Sequence, residues 1–135
     1  MQLFVMFLPC ELIVADILPT ARGAIARCLV EEHGYTQVRV AEAFGVTGSA
    51  VSQYLKGTRG GSELIENSPN REGFYKMIEK AAAMIADGYN VTEVLCSICG
   101  FVKKSGMIEE LYSARGYQGL PAACLECPRF NISFT

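Results

Sequence analysis

The tightest constraint on this chain is the punctuation between Gly34 and Gly57. Gly34, Gly45 and Gly57 are each placed to stop a helix, and Thr36 and Thr47 are each placed to start one. Glycine accepts the left-handed backbone that closes a helix, and a threonine hydroxyl satisfies the free N–H groups that open one. The segment therefore reads as two short helices, Thr36 to Phe44 and Thr47 to Lys56, joined by the tight turn Gly45-Val46-Thr47. Ala41 is small where the two come closest, and Val40, Phe44, Val46, Val51 and Leu55 fill the wedge of a steep crossing. The outward face of the second helix is left polar and short-chained: Gly48, Ser49, Ser52, Gln53 and Lys56.

Elsewhere the apolar spacing is also helical. From about Leu18 to His33, Ala21, Ile25, Cys28 and Leu29 recur at helical spacing, with Arg22 and Arg27 interleaved. Gly57 to Asn70 is rich in Gly, Ser, Asn and Pro and reads as a linker, with Leu64 and Ile65 able to pack locally. Ser68-Pro69 then opens a second region as N-cap and first helical residue. Phe74, Met77, Ile78, Ala81 and Ile85 make an i, i+3, i+4, i+7 face closed by Gly88. Thr92 is placed to cap a further helix carrying Cys96 and Cys99; Gly106 breaks it, and Met107 to Tyr112 form another turn or two. Strand alternation and internal repeats are both lacking, so an all-α chain is expected.

Half of the 135 residues are hydrophobic and 19% are charged, enough apolar surface for a core and too much for a disordered chain. The net charge of −2 argues against a protein that coats nucleic acid or anionic membrane by bulk charge. That charge is segregated: Thr20 to Gly60 carries five basic and three acidic residues, and the remainder seven basic and eleven acidic. The apolar start, Met1 to Pro9, has no positive leader and no small-residue cleavage site, and Met6 offers a second start that would remove half of it. Glu11 and Asp16 interrupt the run before it reaches the length of a membrane span. A buried N-terminal segment and a soluble, cytoplasmic protein are expected.

The run Thr36 to Arg59, with its small Ala41, turn Gly45, Val51-Ser52-Gln53-Tyr54-Leu55 and trailing Gly57-Thr58-Arg59, resembles the phage-repressor (Cro/C1-type) class of helix-turn-helix domains. The resemblance implies that Thr47 to Lys56 is a recognition helix and that the partner is double-stranded DNA. It implies a phosphate contact for Gln37 and base-edge contacts for Gly48, Ser49 and Gln53. Gly48 departs from the pattern, since such proteins often carry Gln or another long side chain there. On chemistry alone, Gln53 can bond adenine bidentately, and Ser49 and Ser52 can meet bases or phosphates. Arg39, Lys56 and Arg59 are the backbone-neutralising cations, and Thr47 stands at the mouth of the recognition helix. Upstream, Leu8-Pro9-Cys10-Glu11 and Ile17-Leu18-Pro19-Thr20-Ala21-Arg22 look like the start of a group of archaeal regulators that join such a domain to a cysteine-bearing C-terminal part.

Six cysteines in a chain without a signal peptide favour metal or redox chemistry over a disulfide framework. Cys10 and Cys28 are solitary in apolar settings and read as small hydrophobes. Cys96-Ser97-Ile98-Cys99 and Cys124-Leu125-Glu126-Cys127 are separated by 24 residues, and four such thiolates can close a tetrahedral site. Zinc is the default; an iron–sulfur cluster, no metal at all, or a redox-active dithiol are the alternatives.

The single histidine, His33, sits at a helix end, and Glu31-Glu32 and Glu109-Glu110 read as solvated faces. No catalytic set emerges, and no enzyme is expected. The domain expectation is a helix-turn-helix bundle over residues 1–60, a linker over 61–70, and a helical region with a Cys-rich tail over 71–135. That last region, beginning with the Phe74 to Ile85 face, is expected to dimerise and to sense metal or redox state. The functional expectation is a homodimeric, sequence-specific transcriptional regulator. The competing one is a metal-binding interaction module or antitoxin-like protein with a subsidiary helix-turn-helix.

Overall fold

The computed structural model describes residues 8–57 and 62–117, and among these every regular element is helical. Pro9–Leu12 (α1), a single π-helical turn at Ile13–Ile17, and Leu18–His33 (α2) follow one another with helical backbone throughout. Pro9 starts the run at a first-turn position, where a missing N–H costs nothing, and the Glu11 carboxylate accepts the Leu8 N–H at 3.2 Å. The π turn has a local cause. Pro19 has no N–H, and in a regular α-helix its ring would crowd the carbonyl of Ala15, so the widened turn that contains Ala15 relieves the conflict.

α2 is the central helix. Thr20, Ala21, Gly23, Ala24, Ile25, Ala26, Cys28 and Leu29 are all buried, a nearly complete girdle of mostly small residues. Small side chains let neighbours approach from several sides, and α2 packs against Gln37–Phe44 (α3), Gly48–Lys56 (α4), Arg71–Ala86 (α6) and Val91–Lys104 (α7). The one-turn helix Glu63–Glu66 (α5) and the final helix Met107–Ala114 (α8) close the base against α1 and the π turn. There Arg115 Nη2 meets Asp16 Oδ2 at 2.6 Å.

Several sequence expectations are met to the residue, and others are corrected. α2 ends at His33 with Gly34 left-handed, α3 and α4 start and stop where threonine and glycine place them, and α8 opens after Gly106 but runs on to Ala114, two residues past the expected Tyr112. Ser68 is not the N-cap of α6. Its hydroxyl accepts the Asn70 N–H at 2.9 Å and donates to Glu110 of α8, so it builds a buried turn, and the helix begins at Arg71. Thr92 does not cap α7 either; Asn90 does, its Oδ1 accepting the Glu93 N–H at 3.2 Å. The stretch read as a linker contains α5, whose Ile65 is fully buried. One hydrophobic cluster runs from Leu12 to Tyr112 across it. The face expected to dimerise is spent inside the chain: Phe74, Ile78, Ala81 and Ile85 are buried, α6 being packed between α2 and α7. The apolar start up to Phe7 lies outside the described residues.

Candidate nucleic-acid interface

The pair α3–α4 is built by its caps and its turn. Thr36 Oγ1 accepts the Arg39 N–H at 3.1 Å, and Thr47 Oγ1 accepts the Ala50 N–H at the same distance. Each hydroxyl satisfies one of the donors a helix start leaves free. Between them Gly45 has φ +66°, and the Val46 N–H donates to the Ala41 carbonyl at 3.1 Å. A Cβ at Gly45 would meet nothing within 4 Å, so glycine is demanded there by backbone handedness and not by crowding.

The inward face of α4 is Ala50, Val51 and Tyr54, all buried, and Val40 of α3 is fully buried beneath the crossing. Phe44, Val46 and Leu55, expected to fill the wedge, are only half-buried and line its edge. Tyr54 is buried more deeply than Leu55, which packs half-buried against the same core. Outward stand Gly48, Ser49, Gln53 and Lys56, with Ser52 half-buried at the margin and Thr47 exposed at the mouth. On α3, Gln37 and Arg39 are exposed beside Val38, an aliphatic side chain that is 68% exposed. The fold thus gathers eight of the nine expected contact residues on two adjacent helices and their caps, while Arg59 lies outside the described residues.

The α4 N-terminal turn is unobstructed. A Cβ added to Gly48 would meet nothing within 4 Å, and its backbone is ordinary helix, so the glycine leaves open room where a side chain would fit. Arg39 is held in place: its guanidinium lies 3.9 Å over the Tyr35 ring, a cation–π contact that fixes the charge at the start of α3.

Two residues of consequence were not singled out by sequence patterning. Tyr54 is one. The other is Arg27 of α2, whose Nη1 donates to the Tyr54 carbonyl at 2.9 Å in the last turn of α4. Beside it lies a small network. Tyr75 donates its hydroxyl to Glu66 Oε2 at 2.5 Å, and Arg71 Nε meets Glu66 Oε1 at 2.9 Å. The Tyr75 bond and then Arg71 hold the Glu66 carboxyl below its ordinary range, and burial, reinforced by Glu66, pushes the Tyr75 phenol up to about 12. On the α2–α6 side, Cys28 is pushed up to about 11, first by burial and then by Glu32, so it stays a thiol at neutral pH.

Cys96 and Cys99 stand one turn apart on α7, both half-buried. Burial, and then the neighbouring Cys96, raise the Cys99 thiol above its ordinary value. Side chains three apart on a helix have Cβ atoms about 5–6 Å apart, which suits two sulfurs converging on one ion better than an unstrained disulfide. No group of three or more metal-ligating side chains comes together among the described residues, and Cys124 and Cys127 lie outside them.

Comparison of the chain with protein-family models, with curated proteins and with solved structures gives no match. Among the described residues, no helix is long and apolar enough to cross a membrane.

Proposed function

We propose that this protein is a sequence-specific transcriptional regulator that reads double-stranded DNA with α4. The observation that carries this reading is the division of α4 into two faces. Ala50, Val51 and Tyr54 anchor it, while Gly48, Ser49, Gln53 and Lys56 project outward with Ser52 at the margin. A helix about 10–12 Å across enters a major groove about 12 Å wide. There Gln53 bonds the edge of an adenine, Ser49 and Ser52 take bases or phosphates, and Gln37, Arg39, Lys56 and Arg59 hold the backbone. Few phosphates are met per protomer, so affinity comes from pairing two protomers on half-sites about 34 Å apart. The dimer contact uses a surface other than the buried face of α6.

The same reading assigns Cys96 and Cys99, with Cys124 and Cys127, to a four-thiolate zinc site through which DNA binding is controlled, an iron–sulfur cluster being the alternative. Elemental analysis and the absorbance spectrum of anaerobically purified protein decide between zinc, iron and neither.

The direct test is enrichment of bound sequences from a random duplex pool. An enriched motif with paired half-sites is expected. Absence of any preference at moderate salt overturns the proposal. Gln53→Ala then relaxes the preference at one position by about 1–3 kcal/mol, whereas Lys56→Ala weakens all duplexes alike and reduces the salt slope by about 1.

A further inference from the structure

We infer that Arg27 is a positioning residue for α4: its guanidinium seats the last turn of the helix on α2 and thereby aligns Ser49, Ser52 and Gln53. The inference rests on reading α4 as the recognition helix. Only nine residues long, α4 carries its buried contacts on Ala50, Val51 and Tyr54. Apolar contacts of that kind resist separation from α2 but resist rolling or sliding along it weakly, because they have no preferred direction. A hydrogen bond does have one. Arg27 Nη1 approaches the Tyr54 carbonyl at 2.9 Å, among the carbonyls that a helix end leaves without intrahelical donors; the Gly57 N–H shares that acceptor at 3.2 Å. The donor is also a full positive charge at the negative end of the helix dipole.

Arg27 is itself held. It is half-buried, it lines the cleft of about 170 Å³ between α2 and α6 together with Tyr75 and Glu79, and its charge lies close enough to Glu66 to help ionise that carboxyl. One cation therefore ties α2, which carries it, to the last turn of α4, whose end it caps. A small displacement at Tyr54 is carried rigidly along the helix to Gln53, one residue away, and to Ser49, just over one turn away. Base readout depends on hydrogen-bond distances held to a few tenths of an ångström, so loss of the clamp degrades discrimination more than bulk affinity.

The experiment compares wild type, Arg27→Gln and Arg27→Lys by three readouts: amide hydrogen exchange, thermal melting, and the ratio of affinities for the enriched duplex and a random duplex. Loss of a charge-assisted bond is expected to speed exchange of the amides at the end of α4 by about tenfold or more relative to those of α6. In Arg27→Gln the affinity ratio is expected to fall by about as much, with affinity for random DNA changed far less. Arg27→Lys, which keeps the charge and one donor, is expected to fall between, and it serves if the glutamine variant does not fold. Exchange that rises in α4 and α6 alike, or an unchanged affinity ratio in a variant that melts earlier, overturns the inference and leaves Arg27 a general stabiliser. If wild type itself shows no sequence preference, the recognition-helix reading fails; the exchange comparison still decides whether Arg27 seats α4.

Discussion

Two helix pairs pack against α2 and use the same local grammar for different ends. In α3–α4 and in α6–α7 the second helix opens on a side-chain cap, Thr47 in one and Asn90 in the other, after a left-handed glycine. Their interiors differ. α6–α7 buries Phe74, Ile78, Ala81, Ala82, Ile85, Val94, Ile98 and Val102, whereas α3–α4 buries only Val40, Ala50, Val51 and Tyr54. The second pair is scaffold. The first is a thin layer whose outer surface is kept free of large apolar groups apart from Val38, and whose seating relies on polar bonds such as that from Arg27 to Tyr54. A surface held by few apolar contacts is one whose orientation a single hydrogen bond can set.

The comparison can be broken most forcefully in the interiors. Phe74→Ala should cost about 3–5 kcal/mol and Val51→Ala about 2 kcal/mol, measured by urea denaturation. Both should act on one cooperative transition, because α2 packs on both pairs and one apolar cluster spans them. Two separated transitions would show the pairs to be independent. The caps come next: Thr47→Ala and Asn90→Ala should each cost about 1 kcal/mol, the two helix starts being chemically equivalent although one lies on the scaffold and the other on the thin layer. Unequal losses in the melts would show that one of these caps serves more than its helix start.

Smaller still is Gly48→Gln. The site is open and its backbone helical, so folding stability should stay within about 1 kcal/mol of wild type, on the favourable side. The variant should nevertheless enrich a different DNA motif, since a long polar side chain now stands at the mouth of α4. The smallest effect belongs to Glu66 of α5, which is bound to Arg71 and Tyr75 of α6. Glu66 is held below its ordinary value of 4.5 by Tyr75 and Arg71, so its contribution is present above that pH and is lost as pH falls through the lower folded value. The side chain is 47% exposed, so the loss is modest. Glu66→Gln should flatten this acid limb without moving the melting temperature's response above pH 5 or so.

Much of the thin layer was legible in the sequence because its signals are local. A threonine hydroxyl reaches a backbone N–H three residues on, and a glycine adopts φ +66° by itself, so Thr36, Gly45, Thr47 and Gly57 mark α3 and α4 without reference to the rest of the chain. The same logic misfires at Ser68 and Thr92. Each hydroxyl was displaced by a local alternative: Ser68 spends its oxygen on the Asn70 N–H within a turn that precedes α6, and Asn90, two residues before Thr92, caps α7. Ile65 shows the limit of composition as a guide, since a stretch rich in small polar residues still places one isoleucine fully inside. The π turn before Pro19 was equally out of reach, because proline signals a conflict but not how the backbone resolves it.

What the sequence by itself determined is the all-helical character, the ends of the central helices and the polar outer face of α4, all of them matters of periodicity and of bonds spanning three or four residues. Only the tertiary structure decided that the Phe74 to Ile85 face belongs to the chain's own core, that Tyr54 is buried more deeply than Leu55, and that Arg27 reaches Tyr54. Those depend on which helix α2 meets at each point along its small-residue girdle. An apolar face carries no address for its partner, and a guanidinium can find a carbonyl twenty-seven residues away only once packing has brought the two helices together.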